Sequence, residues 1–121
     1  MTDKFDKLVS LLSENRKEIT DIYGTNSEYY FFFRQKVFSV RRDEQLGVIH
    51  YRLYVYPRWP SGGDLALLAE RIDQGIEQQQ TVFVAVNADG DAERTRVVRD
   101  LYTWVRSQYL GLNELFDDLG I

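Results

Sequence analysis

The chain of 121 residues lacks cysteine altogether, and it contains only one histidine and two prolines. The absence of cysteine excludes disulfides, thiolate catalysis and cysteine-based zinc sites. No apolar run approaches the roughly 18–20 residues that a membrane-spanning helix needs, and the N-terminal sequence mixes acids and bases rather than following the pattern of a signal peptide. We therefore expect a cytoplasmic protein with no membrane partner.

Side-chain sets that could carry catalysis are also scarce. His50 has no serine or cysteine nucleophile and no orienting acid placed with it in the sequence. Asp89, Asp91 and Glu93 follow a predicted strand and open a helix, a position where Mg²⁺ is often held. The same acids also suit a helix cap and the helix dipole. We predict no cofactor and no metal, and a metal-dependent enzyme at this loop is the third functional hypothesis.

Aromatic residues and segregated charge are what the chain does have. The segment from Glu28 to Pro60 carries six Lys/Arg against three acids, whereas the whole chain has a net charge of −4. Seven Phe, eight Tyr and two Trp supply enough apolar surface for a packed core. A length of 121 residues suits a single α+β domain over residues 1–121.

Hydrophobic periodicity predicts six elements in the order α-β-β-α-β-α. Their expected ranges are helix 3–23, strand 28–41, strand 47–56, helix 65–79, strand 81–87 and helix 92–110. This order predicts a small mixed three-stranded sheet packed with helices, in which an antiparallel hairpin is joined by a strand reached through a helical crossover. The segment 81–87 is apolar on both faces, so it is expected at the centre of the sheet, parallel to the second strand.

The register of the hairpin follows from its side-chain pattern. A three- or five-residue loop centred on Glu44 would pair Val37 with Tyr51 and Lys36 with Arg52. That register places the apolar residues on one face and the cations on the other, whereas a two- or four-residue loop would mix them. Two cations facing each other across strands are mildly unfavourable, so an acid is expected beside Lys36 and Arg52.

The resulting basic and aromatic face is the main candidate binding surface. Cations with aromatic rings suit phosphates and bases, and Tyr, Trp and Arg are also typical of protein interfaces. The alternative is that a helix covers this face and the aromatic residues belong to the core. The face comprises Arg34, Lys36, His50, Arg52, Tyr54, Tyr56, Arg58 and Trp59.

The sequence favours a non-enzymatic interaction module, such as an adaptor, inhibitor or regulator, that binds a protein partner through this face. The alternative hypothesis is a binder of nucleic acid or of a phosphorylated ligand at the same residues. A sheet of only three strands also predicts a homodimer that extends it.

Two features near the C-terminus complete the sequence analysis. Arg96, Arg99 and Arg106 lie on one side of the last predicted helix, either as a solvated face or as a second basic surface for an acidic partner, including another copy of the chain. In the final LNELFDDLGI, Leu115, Phe116 and Leu119 share one side of a predicted turn of helix. We expect this segment to close the core, with docking on a partner as the alternative.

Overall fold

The structure is a computed structural model that describes residues 4–60, 62–86 and 92–121. Its elements follow the order α-β-β-β-β-α-β-α-α, and all five strands form one antiparallel sheet in the order β1-β2-β3-β4-β5. The elements are α1 (Lys4–Glu14), β1 (Thr20–Gly24), β2 (Glu28–Phe33), β3 (Lys36–Gln45), β4 (Val48–Val55), α2 (Leu65–Asp73), β5 (Gln80–Val86), α3 (Ala92–Tyr109) and α4 (Leu112–Leu119). The predicted three-stranded mixed sheet is therefore wrong.

The predicted first helix is really a helix followed by a strand. α1 ends at Glu14, a 3₁₀ turn spans Arg16–Glu18, and β1 begins at Thr20. Ile19 and Ile22 mimic the three-residue spacing of a helix, which is why the sequence pattern extended α1 to Tyr23. The polar run 13–18 between Leu12 and Ile19 breaks the apolar stripe instead, and the β-branched residues that follow suit a strand.

The predicted first strand is likewise two strands joined by a tight turn. β2 and β3 are connected by Arg34 and Gln35, whose φ angles are 50° and 64°. Two-residue hairpin turns of this kind usually contain Gly, Asn or Asp, because other residues rarely adopt positive φ. The sequence therefore carries no signal for this turn.

The register predicted for the next hairpin is also wrong. β3 continues to Gln45, and a two-residue turn at Leu46 and Gly47, both with positive φ, leads into β4. Arg41 therefore lies opposite Arg52, and Val40 lies opposite Leu53. If β4 is kept fixed, every side chain of β3 lies on the face opposite to the one predicted. Lys36 and Arg52 therefore lie on opposite faces of the sheet.

The strand β5 lies at the edge of the sheet and runs antiparallel to β4, not at the centre and parallel as predicted. α2 ends at Asp73, and Gly75, with φ 75°, turns the chain before β5. The connection thus leaves and re-enters the same end of the sheet, where Val55 pairs with Gln80. An antiparallel neighbour requires this geometry, and a crossover to a parallel strand does not provide it.

The predicted helices 65–79 and 92–110 correspond to α2 and α3, and each has one buried apolar side. Asp64 caps α2 by accepting hydrogen bonds from the backbone N–H groups of Ala66 and Leu67. The buried side of α2 is Leu65, Leu68 and Ala69. Val98, Leu101 and Val105 of α3 are fully buried. Ile76 lies within the predicted helix 65–79 but is exposed, because α2 ends before it.

Helices cover the two faces of the sheet unequally. On the front face, α1 and α3 enclose a large apolar cluster that includes Phe31, Val40, Leu53, Phe83 and Leu101. On the back face, α2 packs against Tyr30, Phe32, Val37, Tyr54 and Tyr56. α2 makes its main contacts with β1 and β2, so a polar part of the back face on β3 and β4 lies beside it. That part holds the candidate site.

Candidate functional site

A buried carboxylate lies at the centre of the back face. Glu28, the first residue of β2, is only 4% exposed. Its Oε2 accepts hydrogen bonds from Ser39 Oγ at 2.7 Å and from Gln79 Nε2 at 2.6 Å, and its Oε1 accepts one from the Tyr30 hydroxyl at 3.1 Å. Arg41 Nη1 lies 3.7 Å from Oε1. Buried charges require such partners, and this group has three donors and one cation.

The surroundings of Glu28 shift the pKa values of the whole cluster. Burial raises the pKa of Glu28, and the Ser39 hydrogen bond, the Arg41 charge and the other donors only partly oppose that effect. Burial also raises the pKa values of Tyr30 and Tyr56, an effect that the nearby Glu28 carboxylate strengthens. The cluster therefore holds its phenols protonated, as hydrogen-bond donors.

A chain of ion pairs leads from Glu28 across the back face. Arg41 Nε lies 2.9 Å from both oxygens of Asp43, and Arg52 Nη1 lies 2.8 Å from Asp43 Oδ2. Arg52 Nη2 is 3.5 Å from His50 Nδ1. Asp43 thus relieves the repulsion between two arginines that face each other across the strands. The prediction of an acid beside a Lys36–Arg52 pair is wrong as to the pair, because the residue opposite Arg52 is Arg41 and the acid between them is Asp43 of β3. We call Arg41, Asp43, His50 and Arg52 the back-face patch.

The structure disperses the eight residues predicted as one binding face. His50 and Arg52 belong to the back-face patch, whereas Arg34 lies in the β2–β3 turn and pairs with Glu18 at 3.1 Å. Arg34 also lies over the ring of Phe33, with its guanidinium carbon 5.0 Å from the ring centroid. Lys36 is exposed next to that turn.

The aromatic members of the predicted face are largely covered. Tyr54 and Tyr56 are buried in the cluster beneath α2, and Trp59 packs against the same cluster from the loop after β4. Arg58 in that loop is exposed. The alternative that a helix covers part of this face therefore holds for Tyr54 and Tyr56, which lie in one cluster with residues of α2. Both rings are buried.

Two clefts flank the back face. One, of about 650 Å³, lies between α2 and the β1–β2 loop, with Glu28 and Arg41 among its lining residues and three acids of the α2 region, Asp64, Glu70 and Asp73. The other, of about 580 Å³, lies between Tyr56–Trp59 and residues 76–80. The first cleft also has the hydroxyl groups of Thr25, Ser27 and Tyr30 in its lining.

The second basic surface predicted on α3 carries acids of its own. Arg96 pairs with Glu93 at 2.6 Å and with Asp100 at 3.3 Å, and Arg99 lies 3.7 Å from Asp100. Arg106 is exposed farther along the helix. These exposed pairs form a solvated helix face of mixed charge.

The loop of the third hypothesis, a metal-dependent enzyme, lies mostly outside the described residues. Asp89 and Asp91 are not among them, and Glu93 is engaged by Arg96. Over residues 4–60, 62–86 and 92–121, no group of three or more His, Asp or Glu side chains could hold a metal ion.

The apolar side of α4 is exposed, contrary to the prediction that this segment closes the core. Leu115, Phe116 and Leu119 are 48%, 42% and 65% exposed, and α4 packs mainly against the end of α3. Gly111 separates α3 from α4. Its φ of 71° is in the left-handed region, a backbone conformation that ends an α-helix and changes the direction of the chain.

Sequence reasoning missed the Glu28 cluster entirely. Its members come from β2, β3, the end of β4 and the segment before β5, so only the correct strand pairing brings them together. The available signal was the pattern of Glu28, Tyr30 and Ser39 as polar groups within otherwise apolar strands, which favours a buried polar network.

Comparisons with known protein families, curated proteins and solved structures find no match for this chain. Among its described helices, none has the length and apolar character required to cross a membrane.

Proposed function

We propose that this chain is a non-enzymatic interaction module, acting as an adaptor, inhibitor or regulator, that binds a protein partner through α4. The single observation that carries the proposal is the exposed apolar side of this helix. Leu115, Phe116 and Leu119 follow the spacing of a buried stripe, yet each leaves over two fifths of its surface in solvent. Adjacent exposed apolar side chains bordered by polar ones are typical of protein interfaces.

The chemistry of α4 defines the partner that would fit it. Glu114, Asp117 and Asp118 flank the apolar stripe, so the helix is both apolar and acidic. Amphipathic helices of this kind dock into apolar grooves. We therefore propose a partner with an apolar groove bordered by Lys or Arg side chains, whose charges complement those of α4.

The back-face patch supports a second, polar contact in the same module. Arg41 and Arg52 share Asp43, with Glu28 behind them, so the patch is close to neutral. A near-neutral, hydrogen-bonding surface suits the polar rim of a protein interface. It suits a nucleic acid less well, because binding to phosphates depends on cations with free charge.

The test compares two double variants in protein purified with its partner from its own host. Phe116→Ser with Leu119→Ser removes the apolar side of α4. Leu46→Ser with Ile76→Ser is the matched control, since it removes two exposed apolar side chains elsewhere in the described surface. We expect the wild-type protein and the control to retain one partner at a fixed stoichiometry, and the α4 variant to lose it. We also expect salt to weaken the complex.

Selective loss is the supporting result, because co-purification alone does not locate a surface. Retention of the same partner by the α4 variant would overturn the assignment to α4. A co-purifying oligonucleotide whose affinity falls steeply with salt would instead favour the nucleic-acid hypothesis. Tyr54 and Tyr56 are unsuitable for this test because they are buried and their substitution would disturb the core.

A further inference from the structure

The two clefts of the back face share a wall. Glu28 and Tyr30 line the cleft beside α2, whereas Tyr56 and Gln79 line the cleft beside residues 76–80. The Gln79 amide joins them, because its Nε2 donates to Glu28 Oε2 at 2.6 Å and to the Tyr56 hydroxyl at 3.0 Å. The segment before β5 is thus fastened to the back face through the buried Glu28 carboxylate.

Gln79 belongs to the connection between α2 and β5, residues 74–79. The backbone N–H groups of residues 75–77 bond back to the last turn of α2, and β5 begins at Gln80. Between these two anchors, the side chain of Gln79 reaches the sheet. The other hydrogen-bond donors to Glu28 lie on the paired strands β2 and β3. Local opening therefore reaches Gln79 before it reaches them.

The hydrogen bonds around Glu28 suit an ionised carboxylate. Oε1 accepts from Tyr30 and Oε2 accepts from Ser39 and Gln79, with Arg41 at 3.7 Å. An ionised carboxylate only accepts hydrogen bonds, whereas a protonated one also has a proton to donate. Hydrogen bonds to a charged group are about twice as strong as neutral ones, so protonation weakens every bond to this side chain.

Protonation affects the neighbours of Glu28 unequally. A hydroxyl both donates and accepts, so Tyr30, Ser39 and Tyr56 adapt to an acid proton by rotating their O–H bonds. Ser39 Oγ and the Tyr56 hydroxyl already lie 2.8 Å apart, in a bond that either can donate. The Nε2 group of Gln79 only donates, so it loses its charged acceptor and gains no new one.

We propose that Glu28 is a pH-sensitive latch. Its carboxylate holds residues 74–79 against the back face, and its protonation releases them, so that the wall of the cleft beside residues 76–80 becomes mobile. The latch is separate from the function proposed for α4, because α4 packs mainly against the end of α3. Failure of either proposal leaves the other standing.

Charged groups on three elements face Glu28. Its own cleft is also lined by acids of the α2 region, which add negative charge and favour the protonated form. These acids are Asp64, Glu70 and Asp73. On β3, Arg41 favours the ionised form, but its charge is matched by Asp43, which also pairs with Arg52 of β4.

The phenols around Glu28 stay neutral while the latch works. Burial raises the pKa values of Tyr30, Tyr54 and Tyr56, so none of them ionises in acid. Burial also raises the pKa of Glu28 itself. We therefore expect release at a pH closer to neutrality than the titration of an exposed glutamate.

The test follows two signals in the folded wild-type protein as the pH is lowered. The NMR resonance of the Glu28 carboxyl carbon reports protonation, and hydrogen exchange at the backbone amides of residues 77–80 reports release of the connection. Exchange is expressed as protection relative to an unfolded peptide, which removes the intrinsic effect of pH. We expect protection to fall about fivefold, with the same midpoint as the Glu28 titration.

Three variants separate the latch from a general effect of acid. Glu28→Gln removes the charge, and Gln79→Met removes the donor at a similar side-chain length, so both should show the lower protection at every pH. Glu18→Gln is the matched control, since it removes an exposed carboxylate that pairs with Arg34. It should keep the pH response of the wild-type protein.

Protection that stays constant while Glu28 titrates would overturn the proposal, because it would show that the Gln79 amide turns over and keeps its place. A Glu28 carboxyl that does not titrate in the folded protein would overturn it too. So would a Gln79→Met variant with the protection and pH response of the wild-type protein. If Glu28→Gln or Gln79→Met does not fold, the two wild-type signals decide.

Discussion

Glu28 is the residue whose chemistry depends most on its surroundings. Burial raises its pKa above the ordinary 4.5, although Ser39 and Gln79 donate to it and Arg41 lies near. A carboxyl whose pKa is raised by folding stabilises the native state fully below its unfolded pKa. That contribution is lost as the pH rises through the folded pKa.

The direction of this pH dependence can be tested with Glu28→Gln, a variant that has no titratable group at position 28. The free energy of unfolding of the wild-type protein, relative to the variant, should fall as the pH rises from 4.5 through the raised pKa of Glu28, and then level off. Denaturant unfolding of both proteins at a series of pH values measures this difference.

Glu18→Gln is the control with the opposite sign. A hydrogen bond from Arg34 lowers the pKa of Glu18, so its contribution is present above its unfolded pKa and lost as the pH falls. The free energy of unfolding of the wild-type protein, relative to that of Glu18→Gln, should therefore rise with pH. Differences of the same sign for both variants would contradict the assignment of a raised pKa to Glu28.

The β3–β4 turn offers a second prediction at the scale of single residues. Leu46 is fully exposed and has a φ of 53°, a conformation that a leucine adopts at a cost and that asparagine tolerates. Leu46→Asn should raise the free energy of unfolding by up to about 1 kcal/mol. Gly47→Ala, with φ 78° at the native glycine, should lower it by about 1 kcal/mol or more. A destabilised Leu46→Asn would contradict this interpretation.

At the scale of elements, the sequence predicted a helix or strand best where periodicity and boundary signals agreed. α2 has an acidic N-cap and an apolar stripe, and α3 has its buried stripe and Gly111 after it. β2 and β3 were merged because Arg34 and Gln35 give no turn signal. β1 was absorbed into a helix because two isoleucines three residues apart fit both structures.

The candidate site could be predicted only in part from the sequence. His50, Arg52 and Tyr54 share one face of β4, which strand alternation alone predicts correctly. Their partners on β3 were not predictable, because a change in loop length from odd to even reverses the face of every residue on that strand. The Glu28 cluster depends on two such registers.

The helices α3 and α4 should contribute very differently to stability. Leu101→Ala removes a fully buried side chain from the front cluster and should lower the free energy of unfolding by roughly 2–5 kcal/mol. Leu119→Ser changes an exposed side chain and should alter it by no more than about 0.5 kcal/mol. Urea unfolding monitored by circular dichroism measures both. A large loss for Leu119→Ser would show that α4 belongs to the core.

At the scale of the whole molecule, hydrophobic periodicity predicted the α+β class but not the number of strands in the sheet. Besides merging β2 with β3, the sequence analysis missed or misplaced both edge strands, β1 and β5. Edge strands are hard to predict because their apolar residues pack on one face only and their pairing depends on strands distant in sequence. β5 reads as a central strand because it lacks the charges that mark most edges.

The order of strands in this sheet also sets the route by which the chain folds. β2, β3 and β4 are joined by two-residue turns, so they can pair through local contacts with little loss of chain entropy. β5 reaches β4 only after residues 56–79, so the side of β4 that it covers stays bare until that connection closes. During synthesis, the nascent chain therefore passes through a stage in which β4 is vulnerable to misassociation, and chaperone demand should peak before β5 leaves the ribosome.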